Sequence, residues 1–178
     1  ATPSPPPRLH RVAERAPDLG VPADRLPADA RLSPLLRASE KAFPSPGQED
    51  YRPDRITSQL ALRYVESARP RCLFVGLGDP DEHAHLGDYR SYLRSLRAAD
   101  DFVGALASQL DGMGAYGETT SIVVTTDHGR AEGFRSHGKG APEAARVWLF
   151  AGGGAIPARG FVDAAETRRL ADVGPTAM

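Results

Sequence analysis

The chain has 178 residues, 25% of them charged and 40% hydrophobic, with a net charge of −1. That length suffices for one ordinary globular domain with its own core, and the near-neutral balance excludes a global field that recruits nucleic acid or an anionic membrane. A single cysteine, Cys72, excludes an intramolecular disulfide and a cysteine-based metal cluster. No apolar run approaches the roughly 20 residues a bilayer span needs. The sequence as it stands opens without a charged-then-apolar leader, so any export signal is expected to be absent or already removed.

Proline divides the chain into two regimes. Ten of the sixteen prolines lie in residues 1–50, which hold one aromatic residue, Phe43. Proline fixes φ and lacks the amide donor, so Thr2-Pro3-Ser4-Pro5-Pro6-Pro7 is expected to be extended. Leu9, Val12 and Ala16 allow one short helix before Pro17. Residues 1–50 therefore read as a loop-like segment packing on a domain formed by residues 51–178.

From Asp54 the pattern becomes regular. Asp54 is placed to cap a helix carrying Ile56, Leu60, Tyr64 and Ala68, which ends at Pro70. Residues 72–77 form an unbroken apolar run, as in a buried parallel strand, with Cys72 as a small buried hydrophobe. A second helix runs from about Asp88 to Leu110, with an apolar stripe of Tyr89, Tyr92, Leu93, Leu96, Val103, Leu106 and Leu110, and stops at Gly112 and Gly114. Residues 121–126 and 146–151 are further apolar strands. Gly174-Pro175-Thr176 reads as the first turn of a helix.

Strand, helix and strand in succession imply a right-handed crossover and parallel pairing. The expected fold is α/β, a doubly wound and mainly parallel sheet with helices on both faces. Ligand sites in such sheets lie just beyond the carboxyl ends of the strands. That rule selects the loops 78–87 and 127–140.

Both loops are rich in metal-ligand residue types. The first reads Gly78-Asp79-Pro80-Asp81-Glu82-His83-Ala84-His85; the second holds Asp127-His128-Gly129 and Ser136-His137-Gly138. Imidazole mixed with carboxylate suits zinc, manganese or iron, whereas an all-oxygen set favours magnesium or calcium. Gly129 and Gly138 leave room for backbone to approach a ligand. Each piece alone also fits a blander reading: Asp81 and His85 as a solvated loop or an i,i+4 helix pair, His137 as a turn histidine. Asp79 is undecided on composition, His83 is expected to lie outside the ligand set, and Arg130, Arg135 and Lys139 read as solvated charges.

Pro80-Asp81-x-x-x-His85, a strand ending in Thr126-Asp127-His128-Gly129 and a later His137-Gly138 resemble the alkaline phosphatase superfamily, most closely its phosphodiesterase and nucleotide pyrophosphatase-like branch. The resemblance covers roughly residues 54–178. It implies two divalent ions, zinc or alternatively manganese, with Asp81, His85 and His137 on one and Asp127 and His128 on the other. It further implies hydrolysis of a small phosphate ester, monoester or diester, in a periplasmic or secreted setting, and no nucleic acid polymer as partner. The Ser or Thr nucleophile and one more aspartate ligand are expected upstream, in a missing N-terminal portion of the same domain, so the chain alone is expected to be inactive. Thr125 and Thr126 lie within the strand and are poor nucleophile candidates.

Three alternatives stand beside that reading. A sulfatase relative is disfavoured by its calcium preference against three committed histidines. A phosphomutase relative and a catalytically inactive structural fragment remain open.

Overall fold

Apolar residues at 56, 60, 61, 64 and 65 fall on one side of helix α1, Asp54–Ala68, and Ile56, Leu60, Ala61, Tyr64 and Val65 are all buried. Ile56, Leu60 and Val65 each contribute about 1.5–3 kcal/mol when fully removed from water. Arg69 ends the helix in a left-handed conformation (φ 45°), its N–H donating to the Val65 carbonyl, and Pro70 prevents continuation. The structure is a computed structural model that describes residues 10–11, 34, 52–138, 140–154, 156–163 and 167–177. Two compact units divide the chain, Ala1–Gly112 and Met113–Met178.

The first unit holds β1 (His10–Arg11), α1, β2 (Leu73–Phe74), α2 (Asp79–Leu86) and α3 (Tyr89–Asp111). β1 and β2 pair in parallel, His10 opposite Leu73 and Arg11 opposite Phe74. His10 and Arg11 are thus extended where a short helix was expected, and the remainder of that helix and of the 1–50 segment lies outside the described residues. α3 begins where Asp88 accepts the Ser91 N–H at 3.0 Å and the Ser91 hydroxyl at 2.6 Å. It packs on α1 and α2, buries Phe102 and Leu110, and is tied to α1 by Gln109 Nε2 donating to the Leu62 carbonyl at 2.9 Å. Ala84 of α2 is completely buried.

Several expectations for this unit need correction. The 72–77 run gives a strand of only two residues, and Phe74 stays 60% exposed, because a two-residue ladder with one partner leaves a face open. Cys72 lies outside the strand and is half-buried. Tyr89, Leu93 and Leu96, expected in the buried stripe of α3, are exposed; the apolar stripe is wider than the face that meets α1 and α2. The expected loop after β2 is the two-turn helix α2. Pro80 in its first turn and Gly87 beyond its last, at φ 74°, are its start and stop signals.

The second unit holds α4 (Ala115–Thr119), β3 (Ser121–Thr125), a 3-10 turn (Pro142–Ala145), β4 (Leu149–Gly153), a second 3-10 turn (Leu170–Asp172) and α5 (Val173–Ala177). β3 and β4 are antiparallel, from Ser121 opposite Gly153 to Thr125 opposite Leu149. A mainly parallel sheet was expected. Parallel pairing requires a crossover, usually helical, that carries the chain back to the starting edge. Between β3 and β4 the described residues form a loop with one 3-10 turn and no crossover helix, and the chain reverses. The observed arrangement is therefore mixed α/β, with one short parallel pair and one small antiparallel sheet. Among the described residues no helix is long and apolar enough to cross a membrane.

Candidate metal centre

In the first unit, α2 sets Asp81 and His85 four residues apart, and therefore on one helix face. His85 Nε2 lies 3.2 Å from Asp81 Oδ2. Both side chains are partly exposed, so the contact by itself contributes little to stability. His83 lies two residues from each and therefore turns away from this face, and its carbonyl accepts the Asp88 N–H at 2.9 Å.

In the second unit, the chain leaving β3 carries Asp127, His128 and Gly129. Asp127 is exposed, and one of its oxygens accepts the His128 N–H at 3.0 Å. His128 Nδ1 lies 2.9 Å from the Gly129 carbonyl. A carbonyl only accepts, so this contact assigns the proton of the neutral ring to Nδ1 and the lone pair to Nε2. Nε2 in turn lies 3.6 Å from Asp127 Oδ2.

Gly129 fixes this geometry by close packing. Its N–H donates to the Ala144 carbonyl at 2.8 Å, and a Cβ there would sit 2.6 Å from the Glu143 carbonyl oxygen and 2.7 Å from that of Arg146. The room that the sequence suggested for a ligand is taken by the 3-10 turn. Residues 131–136 then fold back, Ala131 N–H donating to the Ser136 carbonyl at 2.9 Å, and the next residue, His137, stacks on His128. The two ring centres are 3.7 Å apart and the planes 13° apart. Arg130, expected as a solvated charge, is half-buried with its guanidinium carbon 6.0 Å from the Phe134 ring centre.

The donor chemistry fits divalent ions of the zinc type. Two ligands at tetrahedral angles, with bonds of about 2.1 Å, are separated by about 3.4 Å. The Asp81–His85 and Asp127–His128 pairs, at 3.2 and 3.6 Å, straddle that value. The backbone contact that orients His128 is of the kind that holds ligand histidines in register. Within the first unit Asp81 lies beside His85, and within the second His128 lies beside Asp127 and His137.

The sequence reading missed one element of the site. Asp54 does not cap α1, whose preceding residue is Pro53; its carboxylate accepts instead from the amides of Gly78 and Asp79 at the start of α2. The Asp79-Pro80 pair was the available signal, since proline in a first helical turn marks a helix start.

Residues 48–178 match the family described as the Metalloenzyme superfamily. The chain is 26% identical over 127 residues to a 2,3-bisphosphoglycerate-independent phosphoglycerate mutase of Rippkaea orientalis, covering 67% of this chain and 23% of that protein. It is 25% identical over 145 residues to 2,3-bisphosphoglycerate-independent phosphoglycerate mutase 2 of Methanosarcina acetivorans, covering 75% and 26%. The chain spans about a quarter of the length of these curated relatives. No solved structure matches. With a family match over most of its length and alkaline phosphatase-like motifs in order, the chain belongs to the Metalloenzyme superfamily, an alkaline phosphatase-like family.

Proposed function

We propose that this chain carries the metal-holding part of a phosphoryl-transfer enzyme that acts on a small phosphate ester with two divalent ions, zinc first and manganese second. One observation carries the reading: a carboxylate and an imidazole are paired twice, each time at the separation one such ion spans, in a chain of a metalloenzyme family. Asp81, His85 and His137 are assigned to one ion, and Asp127 and His128 to the other. A single centre built from both sets is part of the proposal, as is its setting in a doubly wound sheet.

When bound, two such ions neutralise phosphate oxygens and activate an attacking oxygen. The chain's own residues supply the rest. Asp81 and Asp127 offset the cationic charge, and the imidazoles of His85, His128 and His137 bind in their neutral form. The Gly129 carbonyl holds His128 in the tautomer with Nε2 facing outward from its Nδ1 contact. Thr125 is committed elsewhere, since its hydroxyl donates to the Trp148 carbonyl at 2.6 Å. No nucleophile is assigned among these residues.

Two reactions fit this chemistry. Hydrolysis delivers the phosphoryl group to water, and a mutase returns it to another hydroxyl of the substrate; the second is favoured by the names of the two relatives. The discriminating experiment supplies the 178-residue chain with zinc or manganese and follows two readouts. Phosphate release from a chromogenic ester identifies a hydrolase, and phosphoglycerate isomerisation without release identifies a mutase. Bound metal with neither activity is the result expected if the nucleophile lies outside this chain, and it leaves the chain the metal-holding role alone.

A further inference from the structure

Helix α2, which carries Asp81 and His85, is held at its N-terminus by a buried carboxylate from another helix. Asp54 is 6% exposed and uses both oxygens: one accepts the Gly78 N–H at 2.7 Å, the other the Asp79 N–H at 3.0 Å. Asp79 reciprocates, its own carboxylate accepting the Asp54 N–H at 3.2 Å. The first residues of α1 and α2 therefore satisfy each other's leading amides.

The first amides of a helix have no acceptor within it, and α2 has no side-chain cap from its own preceding residue, Gly78. A helix of two turns is also too short to be stable by itself. Two charge-assisted bonds to a carboxylate anchored in the packed face of α1 thus set both the position and the rotation of the first turn of α2. Asp81 lies in that turn, two residues beyond the second amide, and His85 lies one turn further along the same face.

We propose that Asp54 is a positioning residue for the metal site, holding Asp81 and His85 at the orientation a shared ion requires without itself touching the ion. This rests on the reading of Asp81 and His85 as ligands. Without that anchor the first turn, which carries Asp81, frays and shifts relative to His85, and coordination tolerates only small changes in distance and angle. Asp54 is invisible to a search for ligands, since its role passes through two backbone amides.

The test is zinc affinity of the 178-residue chain, measured by competition with a chromophoric chelator, for the unaltered protein and for Asp54→Asn, Asp54→Ala and Asp81→Ala. Far-UV circular dichroism of each metal-free protein accompanies it. Asp54→Asn is nearly isosteric and keeps one acceptor oxygen, so it retains the fold if the alanine variant does not. We expect the tighter zinc step to weaken about 10–100-fold in Asp54→Ala, as for other residues that orient metal ligands, and by less in Asp54→Asn. The helical signal of Asp54→Asn and the weaker zinc step at Asp127 and His128 stay unchanged. Unaltered affinity in Asp54→Asn and Asp54→Ala, with Asp81→Ala impaired, overturns the positioning role. So does a loss confined to Asp54→Ala that tracks lost helicity, or an equal fall in both zinc steps. Unaltered affinity in Asp81→Ala overturns the ligand reading itself, and the positioning role with it.

Discussion

The ring of His137 lies flat on that of His128, with centres 3.7 Å apart and planes 13° apart. The stack orders the end of an irregular loop without a regular element, so two histidines nine residues apart in sequence present their nitrogens together. A stacked ring pair contributes about 0.5–1.5 kcal/mol beyond its buried area. Phenylalanine preserves the stack and removes the ligand nitrogens, which separates the two roles. His137→Phe is expected to lose most tightly held zinc by elemental analysis, whereas His128→Phe loses little. Equal losses contradict the assignment of these residues to different ions.

Gly129→Ala tests the packing that places Asp127 and His128. The added methyl would lie 2.6 and 2.7 Å from two backbone carbonyl oxygens, which no side-chain rotation relieves. Forced overpacking of this kind costs about 1–3 kcal/mol. Urea unfolding of the metal-free chain is expected to show that loss. A midpoint equal to that of the unaltered chain means the 3-10 turn Pro142–Ala145 does not pack on Gly129 as described.

The start of α3 is expected to respond to pH. Asp88 is held below the ordinary carboxylate range, first by the Ser91 hydroxyl bond and then by the Ser91 amide, with smaller contributions from His83 and Arg94. A group whose folded pKa is depressed adds stability above its unfolded pKa and loses it as pH falls through the folded value. Thermal midpoints measured from pH 7 down into the carboxylate range are therefore expected to fall more steeply for the unaltered chain than for Asp88→Asn, which starts lower at pH 7. Parallel curves exclude Asp88 as a titrating cap.

Long elements were legible in the sequence and short ones were not. α1 and α3 lie within a residue or two of their expected bounds, because each combines a sustained apolar period with clear stops: Arg69-Pro70 for one, Gly112 for the other. β3 likewise spans 121–125, against an expected 121–126. β4 lies at 149–153, displaced from the expected 146–151, because Pro142–Ala145 forms a 3-10 turn that no apolar pattern announces. The antiparallel direction of the β3–β4 pair was not legible for a similar reason: it depends on a loop whose course is set by contacts such as Gly129 on Ala144. At the site, residue types and spacing identified the Asp81–His85 pair and the Asp127–His128 dipeptide. The stack of His137 on His128 and the hold of Asp54 on α2 arise from tertiary packing, and only the start of α2 left a local signal, Pro80 in its first turn.

Zinc titration of the 178-residue chain, followed by calorimetry alongside Asp81→Ala and Asp127→Ala, tests the central claim most directly. Two saturable steps of unequal affinity are expected, because one ion has three assigned ligands and the other two. Asp81→Ala should remove the tighter step and Asp127→Ala the weaker. A chain that binds no zinc in a saturable manner, or that binds it equally well in both variants, contradicts the assignment of these residues as a metal centre.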